Sequence, residues 1–502
     1  MTASTTTRSK RRSIVANPAF DAAGILVLAF ALRFGVVLFS RGGPGGYYGY
    51  DSGVYYSAAD ALIHGQLPYR DFVFLHPPGI IVALTPFAAL GRLTSDHTGY
   101  VVANTCVNLL AAVNAVLVWQ IARRWRLSRG AALLGGVFYA IWWGGINAEV
   151  GVRLEPLGTF AFLCGLLLLA GSERPGRRRS LLAGAALGVA CCIKIWWVVP
   201  LLVILIWHLA RRPTRRTGLL MSAGAAAGSL VVAGPFFVLA PADMWHRVVT
   251  DQLGRAYDRA PFLRIQFLSG LRNALPRGSA PLVAIAAVVI AAVFVATIVV
   301  AARVAAARMV VAVLVVQFVV LIVAPSFFTF YSGYIAGALA LTVAAAADAR
   351  RERRSARMSR WVAEAAVITA AVVTLPALAH SRGLVAPFPG SRFERATAAV
   401  RCLMTDSPSV LILTNRLSSN LAHGCRNWVD VTGHTYFGRD SSAHLTRPQN
   451  RPWQADVLKY LLSGDAVVVV RAGTGLSGAT MKIITSHPVL AASGGYVVYA
   501  VR

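Results

Sequence analysis

The sequence predicts a polytopic α-helical membrane protein of about eleven transmembrane helices, with a C-terminal extracytoplasmic α/β domain. Three observations predict it. Of 502 residues, 56% are hydrophobic and only 14% are charged, a balance far from that of an ordinary soluble domain. Apolar runs of about 17–25 residues, long enough to cross a bilayer, recur along the chain. Arginines gather in short loops between these runs. The net charge of +29 therefore reads as the positive-inside pattern and not as a nucleic-acid-binding surface.

The first element follows a basic tail with Arg8, Lys10, Arg11 and Arg12. It is an apolar run whose length, with no small-residue cleavage site after it, marks a retained signal-anchor helix over about 20–39. Residues 1–19 are then cytoplasmic. Residues 98–121 form the next span, followed by Arg123, Arg124, Arg126 and Arg129. Those arginines belong inside, so the start of that span lies outside. Residues 79–90 therefore do not cross, being short for a span. They read as a juxtamembrane helix in the outer interface, with 52–64 as a second. Later spans alternate at 131–146, 154–170, 181–193, 195–209, 218–239, 281–302, 309–324, 331–347 and 361–379. This order keeps the basic loops at 174–179, 211–216, 303–308 and 350–360 on one side. Residues 20–379 are the membrane domain.

Residues 380–502 form the extracytoplasmic domain. Strand-like runs occur at 410–414, 466–471 and 496–501, with turn-rich segments such as 415–420 and 440–442 between strands. Of six cysteines, Cys106, Cys164, Cys191 and Cys192 lie in apolar runs and read as packing residues. Cys402 and Cys425 lie in the polar region, where an oxidising compartment lets them pair. No spacing of His and Cys suggests zinc.

The chemistry-bearing residues concentrate at the outer ends of the spans. The stretch from Tyr47 to Gly79 holds Asp51, Asp60, His64, Arg70, Asp71 and His76 among six tyrosines. An acidic residue beside a bilayer is costly unless solvated or used. Asp51 is a candidate catalytic carboxylate that takes a proton from an attacking hydroxyl; the competing role is N-cap of the helix that follows. The loop after the third span places Arg153 between Glu149 and Glu155. It offers a second catalytic carboxylate and an anion-binding guanidinium, or a surface ion pair of Arg153 with either acid. Lys194 stands at the outer turn of a helical hairpin beside Trp196 and Trp197, either to meet a phosphate or to snorkel. Arg255 and Arg259, with Arg247 and Arg264, make an outer loop unusually rich in arginine, suited to an anionic substrate or to lipid headgroups. His76, before Pro77-Pro78, orients a substrate or shapes a turn.

The order of these motifs resembles the GT-C superfamily of membrane glycosyltransferases, and most closely the family of protein O-mannosyltransferases and the lipid A aminoarabinose transferase (family 39-like). Tyr50-Asp51, the segment Leu67-Pro68-Tyr69-Arg70-Asp71 and the turn His76-Pro77-Pro78-Gly79 carry the resemblance. The Arg153–Pro156 loop and Lys194 follow in the expected order. The resemblance covers roughly 20–347. It implies a polyprenyl-phosphate sugar donor, an acceptor that is a glycan, glycolipid or protein, and inverting transfer outside the cytoplasm of a plasma-membrane enzyme. Asp51 is then the general base, Lys194 and one or more of Arg153, Arg255 and Arg259 hold the leaving phosphate, and Tyr50, Tyr69, Arg70 and His76 bind substrate. No cofactor is needed if cations of the protein do this work; a divalent cation is the alternative. The Ala/Arg-rich composition is similar to that of actinobacterial envelope enzymes, with mannose or arabinose donors. A lipid-linked-sugar flippase and a non-catalytic scaffold are the rival readings. A flippase calls for charged or broken helices at mid-membrane and repeated halves, whereas here the polar residues gather at helix ends.

Overall fold

The computed structural model describes residues 18–172, 174–255, 258–349, 353–436, 445–471 and 475–502. The basic tail at Arg8–Arg12, Arg350, Arg351 and the turn at 440–442 lie outside the described residues.

Helix α1 (Pro18–Leu38) is followed by two shorter helices, α2 (Tyr50–Ile63) and α3 (Gly79–Leu93), and then by α4 (Asp96–Arg124). Helices α5 (Arg129–Ile141) and α6 (Trp143–Glu149) meet at a 52° bend, because Trp142 leaves helical geometry for an extended one. Then come α7 (Leu154–Leu169), α8 (Arg177–Ile193), α9 (Val198–Leu209) and α10 (Arg215–Leu239). Short helical turns lead to α11 (Pro261–Leu268), α12 (Ala280–Ala301), α13 (Arg308–Val323), α14 (Gly333–Ala347) and α15 (Arg353–Ala379).

Among the described residues, seven helices are long and apolar enough to cross a membrane, or eight if the bent α5–α6 pair is one span. The chain is a multi-pass membrane protein. Every run expected as a span is helical, though α7 and the helix Ile195–Leu209 are short. In lipid the backbone must satisfy its own hydrogen bonds, and helices do this within one segment.

Small residues bring the helices close. A Cβ on Gly184 or Gly188 of α8 would collide with the carbonyl oxygens of Met221 and Ala225 on α10. Gly224 and Gly228 of α10 return the same contact to Leu181 and Ala185 of α8. This is the small-xxx-small packing that replaces the hydrophobic drive missing in lipid. Helix α14 (GYIAGALALTVAAAA) is buried over nearly its whole length, which its small side chains allow.

The C-terminal domain carries one four-stranded sheet of β1 (Leu403–Thr405), β2 (Ala466–Val468), β3 (Val489–Ser493) and β4 (Tyr496–Ala500), in the order β1-β2-β4-β3. Strands β1 and β2 are parallel, pairing Leu403 with Ala466, and β2 is antiparallel to β4. The β3–β4 hairpin turns on Gly494 and Gly495, with φ of 60° and 81°, the left-handed pair that a two-residue hairpin loop requires. Around the sheet lie α16 (Pro408–Leu413), α17 (Leu417–Ala422), α18 (Arg451–Leu461) and α19 (Gly478–Thr485). Cys402 and Cys425 form a disulfide.

Two expectations fail here. The run 410–414 is helix α16, not a strand. Pro408 occupies its first turn, where its fixed φ suits a helix. Val410, Leu411, Ile412 and Leu413 are all buried, so no alternation separates strand from helix. The segment 415–420 is also more ordered than a turn: Asn415 alone takes a positive φ of 52°, and α17 follows.

Between bundle and domain lies the stretch from Tyr47 to Gly79. Gly53 of α2 abuts Ser409 so closely that a Cβ there would collide with it, and Ser409 Oγ donates to the Gly49 carbonyl at 2.7 Å. Ser418 Oγ donates to Asp60 at 3.1 Å and to Asp96 at 2.5 Å. Tyr47 pairs with Ala386 in a β-bridge. Helix α2 is buried from Ser52 to Ala61, packed on α3 and α16 and, through Tyr56 against Tyr100, on α4.

Candidate active site

A cavity of about 380 Å³ opens where the bundle meets the domain. One wall comes from the start of α2, the turn before α3, the start of α7, the α8–α9 break and the segment after α13. The opposite wall comes from residues 430–435 and 445–450 of the C-terminal domain.

Asp51 lines this cavity. It sits in the first turn of α2, whose N-cap is Gly49 with φ of 100°. The N-cap role weighed for Asp51 is therefore taken by Gly49, which a left-handed backbone suits. Near a helix N-terminus a carboxylate is favoured. Burial nonetheless pushes the Asp51 carboxyl above the usual carboxylate range; Arg153 and Arg471 pull it down, and Asp430 and Glu155 add to the rise. A more basic carboxylate is a better proton acceptor.

Glu149 and Glu155 separate. Glu149 is fully buried in the bundle, with its carboxylate on the Arg33 guanidinium at 2.6 Å and the Tyr139 hydroxyl at 2.5 Å. Arg33 also donates to the carbonyls of Ala29, Tyr139 and Ala140. Every Arg33 group is thus used in closing α1 against α5 and α6, and Glu149 does not line the cavity. Glu155, in the first turn of α7, lines it and meets Lys194 Nζ at 2.7 Å. Among the described residues Arg153 pairs with neither acid, and its Nη1 and Glu155 Oε2 are both left without a hydrogen-bond partner.

Lys194 is placed by a break. α8 ends at Ile193, Lys194 is extended, and a single turn of Ile195–Trp197 starts the next helix. Its ammonium lies 3.7 Å from the Tyr331 ring centroid and 4.2 Å from that of Trp196, so two π faces and one carboxylate hold it. Arg255 also lines the cavity and donates to Ser326 Oγ at 3.4 Å. Arg153 does not line the cavity; it lies at 4.0 Å over the ring of Phe330, which does. Arg259 is outside the cavity, over Phe267 at 4.8 Å. Arg264 donates to the carbonyls of Asp258, Leu321, Ala324 and Pro325; it caps the end of α13.

His76 and Tyr50 line the cavity. Burial, with Arg255 and Lys194 nearby, drives the His76 pKa well below its ordinary value, so the ring is neutral. Tyr69 does not reach the cavity; its hydroxyl donates to the His76 carbonyl at 2.6 Å and so sets the turn that presents the imidazole. Arg70 forms a two-pronged pair with Asp71 at 2.9 and 2.8 Å on the exposed surface, away from the cavity.

Sequence reasoning missed what the C-terminal domain supplies. Asp430 lines the cavity and accepts the Tyr50 hydroxyl at 2.7 Å. Arg471 lies over the Tyr50 ring at 4.0 Å, its backbone N–H held by Asp406 at 2.8 Å. Burial pushes the Asp406 carboxyl up to about 6. Neither Asp430 nor Arg471 stands in a motif of fixed spacing. The one signal was the polar cluster at 427–435, too general to assign. Among the described residues no group of three or more His, Cys, Asp or Glu is arranged to hold a metal ion.

Comparison with known proteins gives three findings. The model of Glycosyltransferase family 87 matches residues 74–325. No curated protein matches the sequence. Among solved structures, ArnT from Cupriavidus metallidurans bound to undecaprenyl phosphate is similar with a TM-score of 0.61 at 16% identity, over 96% of this chain and 98% of that one. The Archaeoglobus fulgidus oligosaccharyltransferase tethered with an acceptor peptide scores 0.52 at 14% identity, over 89% and 69%. The arabinofuranosyltransferase AftD from Mycobacteria scores 0.51 at 17% identity, over 96% and 40%. At these identities the likeness is one of fold, the GT-C membrane glycosyltransferase fold.

Proposed function

The chain belongs to Glycosyltransferase family 87, and we propose that it moves a sugar from a polyprenyl-phosphate donor to an acceptor hydroxyl outside the cytoplasm, with inversion. The acceptor oxygen attacks the anomeric carbon, the bond from that carbon to the phosphate oxygen breaks, and the phosphate leaves with the electron pair. Asp51 takes the acceptor's proton. Lys194 and Arg255 stabilise the charge that grows on the leaving phosphate, help that preorganised cations give without reorganising. Arg153 adds to the field, while Glu155 holds Lys194 in place and Tyr69 holds the turn of His76. Glu149 is structural in this reading.

The observation that carries it is one cavity containing the Asp51 carboxylate, which makes no hydrogen bond among the described residues, together with two cations at its membrane-side wall. The undecaprenyl phosphate bound to ArnT, a protein of similar fold, supports the donor class. Residues 20–379 form the catalytic membrane domain of eleven spans. Residues 380–502 form a domain outside the plasma membrane, and 1–19 a cytoplasmic tail. Cations of the protein serve the phosphate, so the reading calls for no cofactor.

The test is sugar transfer by purified enzyme in lipid nanodiscs, from a panel of short-chain polyprenyl-phosphate mannose and arabinose donors to glycan, lipid and peptide acceptors. Transfer from one donor, lost in Asp51→Asn, supports the assignment. Transfer that survives the substitution moves the base elsewhere. Folded enzyme that transfers from no donor to any acceptor counts against the transferase reading.

A further inference from the structure

The cavity has two walls of different chemistry. The membrane-side wall is charged and aromatic: Asp51, His76, Glu155, Lys194, Arg255 and Tyr331. The domain-side wall presents Asp430, Thr432, Thr435, Thr446, Arg447 and Asn450, that is, hydroxyls, a carboxamide, a guanidinium and a carboxylate. Such groups hydrogen-bond the hydroxyls of a sugar ring. A lipid acceptor calls for an apolar trough, and among the described residues this wall offers only Leu445 and Pro448. A peptide bound as an added strand needs a sheet edge, and among the described residues no strand of the domain lines the cavity.

Asp430 carries the argument further. It is 7% exposed. Its Oδ1 is saturated, accepting from the Tyr50 hydroxyl at 2.7 Å, Thr432 Oγ1 at 3.1 Å and the Gly433 N–H at 2.8 Å. Its Oδ2 makes no hydrogen bond among the described residues. A Cβ on Gly433 would lie 2.7 Å from that oxygen, so glycine leaves its approach open. Oδ2 is not among the fully buried atoms left without a partner; on a residue that lines the cavity, it is open to a donor that enters there.

We propose that the domain-side wall is a subsite for a carbohydrate acceptor, in which Asp430 Oδ2 accepts a hydrogen bond from an acceptor-sugar hydroxyl while Thr432, Thr435 and Thr446 bind its neighbours. This rests on the reading of the chain as a sugar transferase and narrows its acceptor to a glycan. The hydroxyl held by Asp430 keeps its proton; the reacting hydroxyl of the same sugar faces Asp51 across the cavity. Asp430 is a specificity-determining residue and Tyr50 positions it.

The experiment measures binding, which does not depend on turnover. Full-length protein in nanodiscs is titrated with neutral disaccharide methyl glycosides, and saturation-transfer NMR reads their affinity in wild type, Asp430→Asn and Thr446→Val. At least one glycoside is expected to bind, and Asp430→Asn to weaken it roughly tenfold, the loss typical of a hydrogen bond to a charged group. Thr446→Val, which touches none of the Asp430 bonds, is expected to weaken the same glycoside by roughly fivefold. It keeps the conclusion separate from any effect of Asp430 on folding, which thermal unfolding checks. Glycosides that do not bind wild type, or bind it and both variants alike, overturn the proposal. Transfer to a peptide or lipid without glycoside binding sinks the carbohydrate subsite and keeps the transferase. Glycoside binding through Asp430, with no transfer from any donor, does the reverse.

Discussion

Glu149 is a fully buried carboxylate and Asp51 a half-buried one, and they differ in what they face. Glu149 is closed off by Arg33 and Tyr139, whereas Asp51 lines the cavity. Asp51→Asn is therefore expected to lower transfer by about 10²–10⁴-fold, with little change in donor KM, measured by steady-state kinetics. The base works deprotonated and burial raises its pKa. Transfer should accordingly fall as pH falls, with an acid limb above the ordinary value of 3.8; an acid limb at or below that value counts against Asp51. Lys194 and Glu155 share one buried contact. Removing one partner of such a pair strands a charge, so Lys194→Met should cost about 3–5 kcal/mol of stability. Lys194→Met with Glu155→Leu should recover most of that stability but not the transfer, as thermal unfolding and activity together would read.

At the scale of elements, α2 is the joint between bundle and domain. Asp60 of α2 and Asp96 at the start of α4 share the Ser418 hydroxyl of α17, with His64 3.5 Å from Asp60. Burial, and then the Asp96 charge, pushes the Asp60 carboxyl up to about 7 from 3.8. Between those values the folded state binds more protons than the unfolded one, so this contact loses stability as pH rises from 3.8 to about 7. Asp60→Asn should remove that dependence and leave the protein more stable at neutral pH; unfolding midpoints across the window would check it. The helical character of α2, α3 and the spans was legible from hydrophobic runs and turn residues. Helix α16 was not, because a short run buried on every side carries no period.

For the whole molecule, packing places the start of α2, the turn before α3, the start of α7, the α8–α9 break and the segment after α13 around one cavity. The arginine loops, among them Arg129 paired with Asp21 at 2.7 Å, lie at the other end of their helices. Reporter fusions at Arg126 and Arg178 should therefore read cytoplasmic and one at Asn420 external. An external Arg126 would remove the argument that α3 does not cross.

The sequence by itself determined that the chain is polytopic and helical, which end of the bundle is basic, and that Asp51 and Lys194 lie near the same end. Hydrophobic length and charge asymmetry are local properties, and lipid forces their outcome through backbone hydrogen bonding. Only the tertiary structure decided which acid belongs to which base and that the C-terminal domain forms one wall of the cavity. The Lys194–Glu155, Arg33–Glu149 and Tyr50–Asp430 contacts join residues 39, 116 and 380 apart in the chain. No periodicity or motif reaches that far. Such pairs form because a charge or hydroxyl taken out of water must find a partner wherever packing brings one within reach.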